Sequence, residues 1–282
     1  MAETASKRRG LPYVLAAVGV LCAIAIGALA YANERGTREV TSEVGAEQVG
    51  DGVHLEFGAQ RIEAQRREVV TQLRVVPWGA LATDQDQTIP AKNIVVELPL
   101  ATTTRMELPA GDRIAVKEVR LPLSDGVISD YPFDRYTVQL LAEVTVDGAD
   151  IPMSLSYTDY DPFYLSRVTE EQVDAGVAYA EIKVKRSRGT FILAWFQLLV
   201  MWLLSLSVLA GALYIVRHRL GLPWPALGWM AATLFALVGF RNAAPGTPPV
   251  GSLIDYCAFF WAEAIVAFSI ALVTWKGVRV TG

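Results

Sequence analysis

Two cysteines and two histidines are all that 282 residues offer of the side chains most used for metal binding and nucleophilic chemistry. Cys22 and Cys257 fall in separate apolar runs. If both runs are helices in lipid, one thiol sits near mid-bilayer and the other near a surface, so no disulfide is expected. No CxxC pair or zinc spacing is present, and both cysteines read as small buried apolar side chains. His54 falls on the polar face of a strand pattern and His218 in a basic turn, neither beside a Ser or Cys in a nucleophile motif. The GxSxG, P-loop and HExxH signatures are missing. The chain therefore reads as a non-enzyme, with no cofactor, no metal and no catalytic residue expected. A basic excess is lacking too: 25 Lys and Arg face 29 Asp and Glu, which excludes nucleic acid as a partner. No strand–helix–strand rhythm occurs, which argues against a nucleotide-binding sheet.

Long apolar runs, in contrast, are present. A bilayer core of about 30 Å needs roughly 20 apolar residues of helix. Residues 11–32, 190–216, 226–240 and 256–275 supply four such runs, the third somewhat short. Backbone amides in lipid must be satisfied within the segment, so these are expected to be helices. Basic flanks set the orientation. Lys7, Arg8 and Arg9 precede the first run, Arg217 and Arg219 follow the second, and Lys276 and Arg279 follow the fourth. All seven lie in the cytoplasm if 1–10, 217–225 and 276–282 are cytoplasmic and 35–189 and 241–255 lie outside. The expected location is thus a plasma membrane crossed several times, with both termini cytoplasmic. A cleaved signal peptide is the rival reading of the first run, with small-residue sites at Ala28-Leu29-Ala30 and Ala30-Tyr31-Ala32. Gly19, Ala23 and Gly27 form a small-residue stripe along that run, the kind that lets helices approach closely.

Residues 35–189 alternate apolar and polar side chains over short stretches: 53–57, 69–76, 93–98, 114–119 and 136–146. In the last, Tyr136, Val138, Leu140, Ala142, Val144 and Val146 share one face. Asp147-Gly148 predicts a hairpin into 151–157. Residues 77–92 read as a long loop, 163–176 as room for one short helix opening at Thr169-Glu170-Glu171, and 177–185 as a last strand leading into the second apolar run. The expected fold is an α+β membrane protein: an extracytoplasmic antiparallel β-sandwich plus four transmembrane helices, one N-terminal and three C-terminal.

A few polar residues stand out. Asp159 and Asp161 could ligate calcium, but two carboxylates fall short of the usual ligand count and turn formation accounts for them. Tyr131, Phe133 and Asp134 belong to a Tyr-Pro-Phe-Asp turn, with Phe133 expected to plug the sandwich end and Asp134 to accept backbone hydrogen bonds. Glu263 lies two helical turns past Asp255 inside an apolar run, where a carboxylate must be paired, protonated or facing a cavity. Gln197 falls at a similar depth, and Arg241 is placed to reach toward both. An intramembrane hydrogen bond joining Glu263, Gln197 and Arg241 is one reading; a polar contact to a partner's helix or a lipid headgroup is the other. Trp195 and Trp261 suit an outer interfacial belt, Trp224 and Trp275 an inner one.

The Tyr-Pro-Phe-Asp turn resembles the Phe-Pro-Phe-Asp turn of the Cys loop in pentameric ligand-gated channels, over about four residues and without flanking cysteines or a polar pore helix. A wider resemblance rests on residues 131–134, the Arg-Asn…Pro-Gly-Thr-Pro-Pro-Val-Gly loop (241–251) and Asp255…Phe-Phe-Trp-Ala-Glu (259–263). These are similar to an actinobacterial four-span membrane-protein family of unassigned function. The chain also resembles the accessory subunit of the mycobacterial mammalian-cell-entry (Mce) lipid importer. That likeness implies a non-catalytic accessory role in envelope lipid transport, with membrane lipids and larger permease subunits as partners. The alternatives are a ligand-binding receptor or homo-oligomeric channel, and an enzyme acting on envelope lipids or glycans.

Overall fold

A computed structural model describes residues 18–32 apart from 20, 23, 26 and 30, then 41–45, 50–102 and 105–281. The chain divides into two units, Met1–Val40 and Thr41–Gly282. In the first, the described residues of 18–32 are helical (α1) and include Gly19 and Gly27; Ala23 lies outside the described residues. The second unit holds everything considered below.

It begins with eleven strands: β1 (Thr41–Gly45), β2 (Gly52–Glu63), β3 (Glu68–Trp78), β4 (Ile94–Glu97), β5 (Arg105–Leu108), β6 (Lys117–Ser124), β7 (Arg135–Val146), β8 (Ala149–Asp150), β9 (Met153–Asp159), β10 (Tyr164–Asp174) and β11 (Val177–Arg186). Hydrogen bonding follows the order β1-β9-β2-β3-β6-β7-β11-β10; off this path β4 and β8 pair with β7, and β5 pairs with β4. The two ends of that path approach each other, so the sheet nearly closes into a barrel. This departs from the expected antiparallel sandwich in two ways. The sheet is mixed, because β2 and β9 run parallel. And β6 joins what would have been separate layers, pairing with β3 along Lys117–Pro122 and with β7 at Leu123 and Ser124.

The alternation read in 136–146 holds residue by residue. Tyr136, Val138, Leu140, Ala142, Val144 and Val146 are all buried in the core. They meet Leu55, Phe57, Leu73, Leu121 and Leu155 from the opposite wall. Burying one such side chain contributes about 1.5–3 kcal/mol. The Asp147-Gly148 turn forms with positive φ at both residues, but its return strand β8 is only two residues long. Pro152 has no N–H to continue the ladder, and β9 pairs with β1 and β2 instead of β7. The helix anticipated within 163–176 is absent; those residues form β10, because β11 offers a full antiparallel edge from Tyr164 to Asp174. Pairing of that length overrides a weak local helix signal.

Three helices follow: α2 (Arg188–Arg217), α3 (Trp224–Asn242) and α4 (Phe260–Thr281), with a π-helical turn at Asp255–Phe259 leading into α4. Two segments, Arg188–Arg217 and Asp255–Arg279, are long and apolar enough to cross a membrane. The residues that α2 buries are Thr190, Ala194, Gln197, Met201, Ser205, Val208 and Ala212. Their spacing of three and four marks one helix face. It packs chiefly on Ala258, Ala262, Val266 and Val273 of the last helical segment. Leu193, Phe196, Leu199, Leu203, Leu206 and Leu213 point outward. Small and polar residues inside with large apolar ones outside is the reverse of a water-soluble helix. Cys22 and Cys257 are free and exposed rather than buried; for Cys257 the inner face of the turn is taken by Asp255, Ala258 and Phe259.

Candidate functional site

β11 passes into α2 with one residue between them, and that junction gathers Tyr131, Asp134, Asp159 and Asp161, four of the polar residues singled out in the sequence. Ser187 is the N-cap of α2: its Oγ accepts from the Thr190 amide at 3.2 Å. The Ser187 amide and the Thr190 hydroxyl both donate to the Phe163 carbonyl. Phe163 is itself held by the preceding acids. Asp161 accepts from the Phe163 and Ile62 amides, each at 2.7 Å. Asp159 accepts from the Asp161 and Ser166 amides at 3.0 and 2.6 Å. All four carboxylate oxygens are therefore used by backbone, as turn-forming acids require. Burial raises both carboxyls above the ordinary range, against the opposing pull of those amides.

Next to this turn, Arg186 and Asp134 form a buried ion pair, Nε to Oδ1 at 2.9 Å. The Tyr136 hydroxyl donates to Asp134 Oδ2 at 2.9 Å. The guanidinium lies over the rings of Tyr164 and Tyr131, 4.1 and 4.9 Å from their centroids. Burial works against the Arg186 charge, but Asp134 and the flanking tyrosines outweigh it and hold its pKa above the ordinary value. Burial pushes the Tyr131 hydroxyl up to about 12, with Arg186 opposing. Its ring packs on Ala194 of α2 and on Ile254. Two expectations for this turn are corrected. Asp134 accepts from side chains, not backbone. Phe133 does not plug the β-domain: it is 51% exposed and meets Phe191 of α2 edge-on at 5.3 Å. Tyr131 takes the buried place because a tyrosine can fill a pocket beside a guanidinium.

The loop after α3 is closed by a second buried pair. Arg241 donates from Nε and Nη2 to the two oxygens of Asp255, at 2.9 and 2.8 Å. Its remaining donors reach the Pro248 and Pro249 carbonyls. Asp255 Oδ2 also accepts from the Gly251 and Ser252 amides. The expected contact of Arg241 with Glu263 and Gln197 therefore does not form. Asp255 lies closer in the chain, offers a bidentate match to the planar fork, and consumes the guanidinium.

Glu263 is left apart. It lines a groove of about 420 Å³ between α3 and α4, with Leu234, Phe235, Val238, Phe260 and Ala267. No hydrogen bond or ion pair to it occurs among the described residues. Gln197 is 6% exposed, and its Oε1 has no partner among the described residues. It lines a different and larger cleft, about 880 Å³, between the β-domain, the first turns of α2 and the end of α3. Sequence reasoning missed this cleft, because its walls come from five segments far apart in the chain.

Two family models match the chain. Residues 43–184 match a domain of unknown function, DUF4436, and residues 186–280 match a second, DUF8686. The chain belongs to the DUF4436 family. The two matched stretches meet at Lys185, beside the Arg186 that is the last residue of β11. No curated protein matches the sequence. The buried pair Asp134–Arg186 thus binds the DUF4436 domain to the first residue of the segment that follows it.

Proposed function

We propose that this chain is a non-catalytic accessory subunit of a cell-envelope transport complex, held in the plasma membrane by four helices with its β-domain on the outer side. One observation carries the reading: Glu263 sits in an outward-facing groove with no partner in its own chain among the described residues. A carboxylate at the depth of a membrane helix is costly unless it is paired. The wall of the groove is otherwise apolar, and in this reading the carboxylate meets a donor on another chain's transmembrane helix. The outward-facing leucines and phenylalanines of α2 and the inward-facing Gln197 and Ser205 support placement in lipid. The junction at Arg186 and Asp134 would hold the β-domain rigidly above the bundle, where it could touch the outer parts of a permease. The likeness to the accessory subunit of the Mce lipid importer makes that importer the first complex to test.

The test is a photocrosslinker at Ala264, which is exposed beside Glu263, followed by mild-detergent purification from native membranes. The expected product is a covalent adduct with a transmembrane segment of a permease, lost at least tenfold in Glu263→Leu. Recovery of uncrosslinked chain alone, with or without Glu263, would overturn the reading.

A further inference from the structure

The 880 Å³ cleft is unrelated to the Glu263 groove and has its own chemistry. One wall is the end of β2 and the β2–β3 turn, from Gln60 to Arg66; another is the turn at Asp161–Tyr164; the floor is the first turns of α2; the last wall is the end of α3 and the loop to Thr247. Gln65 Nε2 donates to the Thr247 carbonyl at 2.8 Å, tying two walls together. The floor is apolar and open: Leu193, Phe196, Phe240 and Phe163 are all exposed there. This apolar surface continues without a break onto the outward face of α2 through Leu199 and Leu203. The opposite lip carries two arginines beside Glu63. Arg61 and Arg66 both reach Glu63, at 2.7 and 3.4 Å, and both guanidiniums remain mostly exposed. Arg66 also lies 3.9 Å from Glu68. Each guanidinium carries five N–H donors, so these contacts leave some of them for a ligand. Between lip and floor lies the Gln197 amide, nearly buried and without a hydrogen-bond partner among the described residues.

We infer that this cleft binds a phospholipid of the outer leaflet: phosphate at Arg61 and Arg66, the glycerol and ester region at Gln197, and an acyl chain along Leu193, Phe196 and Phe240. Distances along α2 fit. Gln197 is nine residues past Arg188, so the cleft runs roughly 13 Å down the helix from the β-domain. That is longer than the roughly 5–8 Å of one interfacial layer, so the cleft reaches from headgroup depth into hydrocarbon. An arginine pair is the usual recognition element for a phosphate. The Gln197 Nε2 is a donor with no partner among the described residues, and an ester carbonyl is an acceptor, which favours a ligand with polar atoms at mid-length over a plain hydrocarbon. The inference rests on α2 and α3 lying in the membrane, as proposed above, but not on any protein partner.

The full chain reconstituted in phosphatidylcholine vesicles with a tenth of a photoactivatable, acyl-diazirine phosphatidylglycerol tests it. Adducts mapped by mass spectrometry are expected to concentrate on the peptides holding Leu193–Gln197 and Phe240–Ala244. The double substitution Arg61→Gln, Arg66→Gln should reduce them at least fivefold, and Phe196→Ser should do so independently. All three residues are exposed, and unchanged thermal melts would verify that the variants fold. Concentration at those peptides that survives both variants would overturn the proposal, since it would reflect surface exposure. So would adducts spread evenly over α2 and α4, as at Leu203, Leu206 and Phe268; in that case the membrane placement would stand. No adducts on either helix, with the chain released by alkaline carbonate, would overturn the membrane placement and the lipid site together.

Discussion

Leu140 in β7 is 1% exposed and Leu203 in α2 is 57% exposed, although both belong to one contact unit of the same chain. The β-domain hides its leucines and shows its charges. The helical region shows its leucines and hides Thr190, Gln197, Ser205 and Arg241. Water explains the first arrangement through the hydrophobic effect. It does not explain the second; in a hydrocarbon surround, as proposed, nothing would be gained by withdrawing leucine, and close helix approach would favour small side chains. The boundary between the two regimes is the single residue Ser187, so the polar network there has to serve both.

The largest effect should come from cutting that network. Arg186→Met leaves the Asp134 carboxylate buried against Tyr136 with no counter-charge. Breaking such a pair from one side typically costs about 3–5 kcal/mol. The thermal transition of the β-domain, followed by near-ultraviolet circular dichroism, should fall accordingly. Adding Asp134→Leu to Arg186→Met should recover much of the loss, because no charge is then stranded. If the double variant is as unstable as the single, the pair acts through geometry and not charge.

The comparison itself is tested by one substitution made twice. Leu140→Ala opens a hole in the β core and should cost about 2–5 kcal/mol. Leu203→Ala removes the same atoms from an outward face and should leave the thermal transition of the detergent-solubilised chain nearly unmoved. Equal effects at the two positions would mean that the α2 leucines are covered in the folded chain, and the inside-out description would fail.

How much of this was legible beforehand divides along the same line. Period-two alternation in 136–146 named the buried face of β7 correctly, because one face meets water and the other does not. The ends of the second apolar run were also readable to within about two residues. Topology was not. Nothing local in Met153–Asp159 says that it pairs parallel to β2, and Thr169-Glu170-Glu171 looks like a helix start until β11 lies beside it. In an all-apolar run, periodicity cannot tell which leucine faces a neighbour, so the Gln197, Arg241 and Glu263 grouping was inferred from depth alone. The actual partner of Arg241 was Asp255, fourteen residues on, brought close by the loop through Pro248 and Pro249. The cleft was unreadable for a similar reason: each of its walls is an ordinary turn by itself.

A third test reverses the second. Ser205 is fully buried on the α2 face that meets α4. Ser205→Leu makes that helix more apolar yet should destabilise the bundle by about 1–3 kcal/mol through overpacking. Unfolding in mixed detergent micelles would report it. A stabilising outcome would show that burial of apolar area, not close approach, governs this region.

The smallest effect belongs to the β-domain and concerns pH. His54 is half-buried, with Nδ1 at 2.7 Å from the Ser154 hydroxyl and Nε2 at 3.1 Å from that of Ser156, so it fastens β2 to the parallel strand β9. Burial lowers its pKa from the ordinary histidine value, and Glu56 and Glu43 only partly oppose this. The unfolded chain therefore takes up a proton at a higher pH than the folded one. In the window below the ordinary histidine pKa of about 6.5 the unfolded state binds more protons, and stability must rise with pH there. The contribution is complete above that value and is lost as pH falls toward the lowered, folded-state pKa. Asp159 and Asp161, raised by burial, act with the opposite sign and are favoured by acid. They are common to wild type and variant, so a difference measurement removes them. Between pH 7.5 and 5.5 the melting temperature of wild type should drop more than that of His54→Gln, which keeps a donor and an acceptor for the two serines but does not titrate. Parallel pH profiles would mean that His54 is hydrated in the folded domain and that the β2–β9 seam is open to water.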